Sequence, residues 1–149
     1  SKSGNLEIDS IVNYKLSKAA ACEIKTNIKI NVPEKLNIRP FDLSVVLGNL
    51  LDNAIEAACK CKDKFINLSV EFDRNVLYIS ISNSFDGKLN YDGFKLRTDK
   101  DDKENHGIGL SSVQKTLEKY NGAMEFHHKG SEFYTDVLIY NTGHEIKPC

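Results

Sequence analysis

The sequence predicts an α+β fold: a two-layer sandwich in which about three helices cover one face of a mixed, mostly antiparallel sheet. Three observations predict it. Segments with apolar residues at helical spacing alternate with segments of strict apolar and polar alternation. Two of the alternating segments are joined by the short turn Asp73-Arg74-Asn75, so they pair as a hairpin with one buried face. The chain has 149 residues, 40% hydrophobic and 28% charged, which suits one domain with its own core. We expect a single domain over 1–149, with its core at 6–141 and a tail at 142–149.

The elements follow in order. From Ile8 to Ala21, the residues Ile8, Ile11, Val12, Leu16, Ala19 and Ala20 recur at helical spacing and predict an amphipathic helix. Thr26 to Val32 alternates, with Ile28, Ile30 and Val32 on one face, and Pro33 closes that strand. Pro40-Phe41-Asp42 opens a second helix, with Asp42 or Ser44 as its expected N-cap and its end near Ala58. Ile66, Leu68, Val70 and Phe72 form one face of the next strand, and Leu77, Ile79 and Ile81 continue it after the turn. Residues 84–106 are rich in Asp, Lys, Asn and Gly with no period, and read as a long polar loop of the kind that is usually functional. After Gly107 and Gly109 a third helix is expected, with Leu110, Val113, Leu117 and Tyr120 on one face and Asn121-Gly122 as its stop. Met124 to His128 and Phe133 to Tyr140 complete the sheet.

Composition excludes several functions. The 20 Lys+Arg against 21 Asp+Glu leave a net charge of -1, which gives no global reason to bind a nucleic-acid backbone. No apolar run approaches the roughly 20 residues of a membrane span, so this stretch is expected not to enter the membrane. The chain opens Ser1-Lys2-Ser3-Gly4 without Met and reads as a fragment or processed chain. Cys22, Cys59, Cys61 and Cys149 show no spacing that suggests a framework and are expected to be reduced cytosolic thiols. Cys59-x-Cys61 lacks a partner pair at zinc spacing.

The candidate chemistry lies in three places. On the second helix Leu47, Leu50, Leu51, Ala54 and Ala58 share one face, and Asn49, Asp52, Asn53 and Glu56 share the other. That polar side reads either as a solvated face or as a site. Asn is a poor mid-helix residue, and two of them four apart stack their side-chain oxygens in a way that suits a hard cation or a polar ligand. Asn83 continues the apolar face of Leu77, Ile79 and Ile81, so its amide needs a partner: a turn at the strand end, or a ligand's polar edge. His106-Gly107-Ile108-Gly109-Leu110 joins the polar loop to a helix start, where glycines allow close approach and free N–H groups suit an anion.

Taken together and in this order, these elements resemble the ATP-binding domain of sensor histidine kinases, in the superfamily shared with DNA gyrase, heat-shock chaperone and mismatch-repair ATPases. Asn49-Leu50-Leu51-Asp52-Asn53-Ala54 is similar to the N box of that family, and Gly107-Ile108-Gly109-Leu110 to its G2 box. Gly87 matches the second glycine of the G1 box, where Phe85 replaces the first and Asn83 stands for the usual Asp. The resemblance implies a Bergerat-type ATP-binding fold with 84–106 as the ATP lid. It implies Mg²⁺ held by Asn53, Asn49 at the phosphates or metal, adenine read by the Asn83 carbonyl, and His106 at the ligand rim. Glu56 stands where many members carry a basic phosphate contact. With Leu6-Glu7-Ile8-Asp9-Ser10-Ile11, it resembles the peptide-sensing receptor kinases of Gram-positive bacteria.

The expected function is therefore the catalytic domain of a two-component histidine kinase, the cytoplasmic part of a cell-membrane receptor. It binds Mg-ATP and passes the γ-phosphoryl group to a histidine on a separate dimerisation domain of the same protein, which then serves a response regulator. Lys95, Arg97, Lys100 and Lys103 are candidate phosphate contacts in the lid. None of His106, His127, His128 and His144 sits on a suitable helix, so binding without self-phosphorylation is expected. The alternatives are an anti-sigma-type serine kinase and an interaction module of the same fold that has lost nucleotide.

Overall fold

The computed structural model describes residues 3–89, 91–92, 95–96 and 103–143, with side chains described for 3–89 and 109–143. The elements run α1 (Leu6–Ala21), β1 (Lys25–Asn31), α2 (Pro40–Cys59), β2 (Phe65–Asp73), β3 (Val76–Ser84), β4 (Tyr91–Asp92), β5 (Lys95–Leu96), α3 (Lys103–Lys119), β6 (Ala123–Lys129) and β7 (Glu132–Tyr140). The main sheet has the order β1-β2-β3-β7-β6. Only the β1–β2 pair is parallel, because α2 forms the crossover between them; the other pairs are antiparallel. β4 and β5 make a separate small hairpin. Three helices lie against one face of the five-stranded sheet, as the patterning predicts.

Strand parity explains the layering. Ile66, Leu68 and Val70 of β2, and Leu77, Ile79, Ile81 and Asn83 of β3, are all buried beneath the helices. The turn between these strands puts Arg74 and Asn75 both at positive φ, 51° and 66°, as a two-residue hairpin loop requires. Above the sheet, Leu47, Leu50, Leu51, Ala54 and Ala58 of α2 are buried. Helix α2 touches both α1 and α3 and is the middle of the helical layer. Val12 and Ile8 of α1 are fully covered, whereas Ala20 is exposed despite its place in the helical pattern.

Helix ends account for the remaining local structure. Asn5 caps α1, its Oδ1 accepting from the Ile8 N–H at 3.1 Å. Asn121 adopts φ 55° after α3, and Gly122 donates back to the Leu117 carbonyl at 2.8 Å, which closes the expected stop. The cap of α2 differs from expectation. Its N-cap is Arg39 with Pro40 in the first turn, and no side chain caps it from within the helix. Asp42 lies in the first turn and is buried. Its carboxylate accepts from the Tyr120 hydroxyl at 2.5 Å and from Lys119 Nζ at 3.2 Å, partners at the far end of α3.

Two further expectations are corrected. Residues 84–106 hold regular structure: β4 and β5 fall inside them, and α3 begins at Lys103. Cys22 and Cys59, expected as free thiols, form a disulfide with Cα atoms 5.9 Å apart, joining the end of α1 to the end of α2. Cys61 is free, and among the described residues no group of three or more His, Cys, Asp or Glu is placed to hold a metal. The tail beyond residue 143, with His144 and Cys149, lies outside the described residues.

Two outcomes follow. The disulfide closes a separation of 37 residues, for which chain entropy gives about 4 kcal/mol. Denaturant unfolding of Cys22→Ser, or of the wild type in reductant, should show a loss of that order. The second concerns pH. Burial, and then the bond donated to Asp42, push the Tyr120 phenol from 10.0 up to about 12. A raised folded-state value means that this contribution to stability is whole below pH about 10 and is lost between about 10 and 12. The stability difference between wild type and Tyr120→Phe should shrink across that window, and a constant difference would show the phenol unperturbed.

Candidate nucleotide site

The polar side of α2 is partly covered, with the Asp52 side chain still 46% exposed. Asn49, Asp52, Asn53 and Glu56 are all half-buried, because α1 and α3 flank the helix. Asp52 turns toward α1, where Lys15 Nζ meets its Oδ1 at 2.8 Å; the Lys15 chain passes over Gly48, whose missing side chain leaves it room. Asn49 turns toward α3. Its Nδ2 donates to the Val45 carbonyl one turn back at 2.7 Å, which fixes the amide and directs Oδ1 away from its own helix.

That oxygen meets Gly109. A Cβ built on Gly109 would lie 2.9 Å from Asn49 Oδ1. Gly109 therefore allows a close approach of the two helices, and a side chain there would oblige the Asn49 amide to move; Leu110 beside it is buried in the core. Asn49 and Gly109, one from each of the two stretches that resemble the N and G2 boxes, are thus brought together between α2 and α3. Asn53, one turn beyond Asn49, shares its flank.

The expected glycine turn before α3 is a helix instead. Gly107, Ile108 and Gly109 lie within α3, so their N–H groups belong to its ladder and the unsatisfied N–H groups are those of the first turn at 103–105. A Gly is only about 1 kcal/mol worse than Ala in a helix, so neighbours can hold it helical. The side chains of His106 and Ile108 lie outside the described residues, as do those of Lys95, Arg97, Lys100 and Lys103.

At the end of β3, Asn83 is buried at 2% exposure. Its Nδ2 donates to the Ser84 carbonyl at 3.0 Å, which turns the other arm of the amide, an acceptor, the opposite way. Phe85, standing for the first G1 glycine, is buried edge-on to Phe133 at 5.5 Å and to His128 at 6.0 Å. The replacement therefore serves packing, and the sequence pattern alone did not disclose it. Gly87 has φ +82°, a conformation that favours glycine. The residue that sequence reasoning missed is Tyr120, whose hydroxyl links the ends of α2 and α3; its place on the apolar stripe gave no hint of a polar role.

Comparison with known proteins is decisive for the family. Residues 38–140 match the model of the GHKL domain. The chain belongs to the GHKL domain family. As a GHKL domain it is similar in structure to the catalytic domain of the histidine kinase ThkA in a nucleotide-free form, with a TM-score of 0.69 and 18% identity over 94% of this chain and 93% of that one. It is similar to the mycobacterial sensor histidine kinase MprB, with a TM-score of 0.67 and 12% identity over 89% and 95%. The Acinetobacter baumannii histidine kinase AdeS gives 0.66 and 14% over 93% of this chain and 64% of that one. A search of curated proteins finds no match for this sequence.

The Asn49–Gly109 contact can be tested without a ligand. Gly→Ala inside a helix normally gains about 1 kcal/mol, worth about 2–4 °C at this size. In Gly109→Ala that gain should be cancelled, because Asn49 must give up its bond to Val45 to clear the methyl group. Thermal unfolding should show no rise; a rise of the full amount would mean that Asn49 is not held against Gly109.

Proposed function

We propose that this GHKL domain is the catalytic ATP-binding domain of a sensor histidine kinase. The observation that carries the reading is the contact between Asn49 of α2 and Gly109 of α3, which sets the Asn49 carboxamide beside the glycine-bearing start of a helix, with Asn53 one turn further along α2.

The donor set fits Mg-ATP. Asn53 and Asn49 offer neutral hard oxygens, which suit a cation whose remaining ligands are phosphate oxygens and water. Asn53 is the proposed Mg²⁺ ligand and Asn49 the neighbouring contact. The acceptor arm of buried Asn83 suits the adenine amino group, and Glu56, Gly87 and the 106–110 segment are the proposed rim of that site. The metal's part is to neutralise phosphate charge when bound. Gly107 and Gly109 each lower the cost of unwinding that part of α3 by about 1 kcal/mol relative to Ala. Unwound, the segment would offer its N–H groups to phosphate.

The reaction proposed is phosphoryl transfer to a histidine on a separate dimerisation domain, with a response regulator as later acceptor. Such transfer rests on positioning and charge stabilisation rather than on a protein nucleophile. The receptor context, a cytoplasmic domain of the peptide-sensing kind, draws its support from the sequence likeness at Leu6–Ile11 and Glu56. Among the described residues no helix is long and apolar enough to cross a membrane.

Calorimetry with Mg-ADP is the direct test. Asn53→Ala should lose detectable metal-dependent binding. Asn83→Leu, which removes one buried acceptor, should weaken binding by about 5- to 100-fold with or without metal. Equal binding by Asn53→Ala and wild type would remove the N-box assignment.

A further inference from the structure

The structure assigns Tyr120 and Asp42 as positioning residues that hold Asn49 in register with Gly109, an inference whose functional consequence rests on the nucleotide reading above. Helices α2 and α3 are antiparallel, and beside their apolar seam two contacts involve polar groups. One is the Asn49–Gly109 contact. The other lies about 10 Å away along α2 and about 16 Å away along α3, where Asp42 faces Tyr120.

The chemistry there is an interhelical cap. Arg39 is the N-cap of α2 and has no side-chain bond of its own to the helix. Asp42 stands three residues on, where a capping box would place an acid that reaches back to the N-cap N–H. Here the Tyr120 hydroxyl stands between them. It donates to Asp42 Oδ2 at 2.5 Å and accepts from the Arg39 N–H at 3.2 Å. Lys119 takes the other carboxylate oxygen at 3.2 Å. Asp42 and Tyr120 are each 1% exposed, so water does not compete for these bonds.

Tyr120 is also the residue at which α3 stops, fixed by the Asn121 and Gly122 bonds behind it. One hydroxyl therefore ties the first turn of α2 to the last of α3 and forbids axial slip between them. A slip of one residue's rise, about 1.5 Å, would carry Gly109 off Asn49 Oδ1 and lose their close fit. The apolar seam between the helices is less selective, because its contacts are non-directional.

The test uses Tyr120→Phe, which keeps the ring, Asp42→Asn, which can still accept from the phenol, and Ile28→Ala in β1 as a control that lowers stability away from the seam. Two quantities are measured on folded protein: Mg-ADP affinity by calorimetry, and the Asn49 side-chain amide signals by NMR. Tyr120→Phe should shift the Asn49 signals and weaken binding by about fivefold, the low end of intersite coupling. Asp42→Asn should do both to a smaller degree, and Ile28→Ala should do neither. Unmoved Asn49 signals in Tyr120→Phe, or equal effects in Ile28→Ala, would overturn the inference. If wild type binds no nucleotide but the Asn49 signals still move as described, the positioning role stands and the nucleotide reading fails.

Discussion

The constraint on which this domain turns is that α2 must be buried on nearly every side and still carry amides. Its apolar stripe, Leu47, Leu50, Leu51, Ala54 and Ala58, closes the core over β2 and β3. Its polar side is partly covered, because α1 and α3 pack beside it. Half-buried polar groups need partners. Two of these groups find partners close by, Lys15 for Asp52 and the Val45 carbonyl for the Asn49 Nδ2, while Gly109 leaves room beside Asn49 Oδ1. What results is a polar seam within the helical layer, held open by small residues at Gly48 and Gly109.

That seam is fastened at its ends rather than along its length. The Tyr120 hydroxyl joins α2 to α3 at one end, and the Cys22–Cys59 bond joins α1 to α2 at the other. Both fastenings are directional where the apolar contacts between them are not. A bond with fixed geometry selects one register among several of similar buried area, which is the distinction between a packed helix pair and a helix pair that presents Asn49 at one defined place.

How much of this is legible in the sequence depends on the range of the interaction responsible. Strand parity is local, so the burial of Asn83 with Leu77, Ile79 and Ile81 follows from counting by twos. Helical spacing is nearly as local, and the core faces of α2 and α3 follow from it. The cap of α2 does not, because Asp42 spends its carboxylate on a residue 78 positions away, where no local rule applies. The disulfide fails for the same reason: its spacing of 37 residues says nothing until α1 and α2 are set side by side. At 103–109 two local rules compete. Asp, Lys, Asn and Gly speak for a loop, while Leu110, Val113 and Leu117 behind them propagate a helix that tertiary packing then extends backward.

The glycines of α3 show how one residue type can answer two demands. In a sequence motif, Gly107 and Gly109 read as room for a ligand. In the fold, Gly109 is room for Asn49, and any larger residue there would meet the amide oxygen before a ligand arrived. The two readings agree if the same absence of side chain lets α3 lie against Asn49 when helical and bend toward phosphate when unwound. The helix cost of glycine, about 1 kcal/mol per residue, is small enough for the packed form to persist and large enough for the proposed phosphate contacts to compete with it. On the proposed reading, such a site would keep its carboxamides in place on α2, pinned through Tyr120, and confine the adaptable backbone to the segment in which glycine makes change inexpensive.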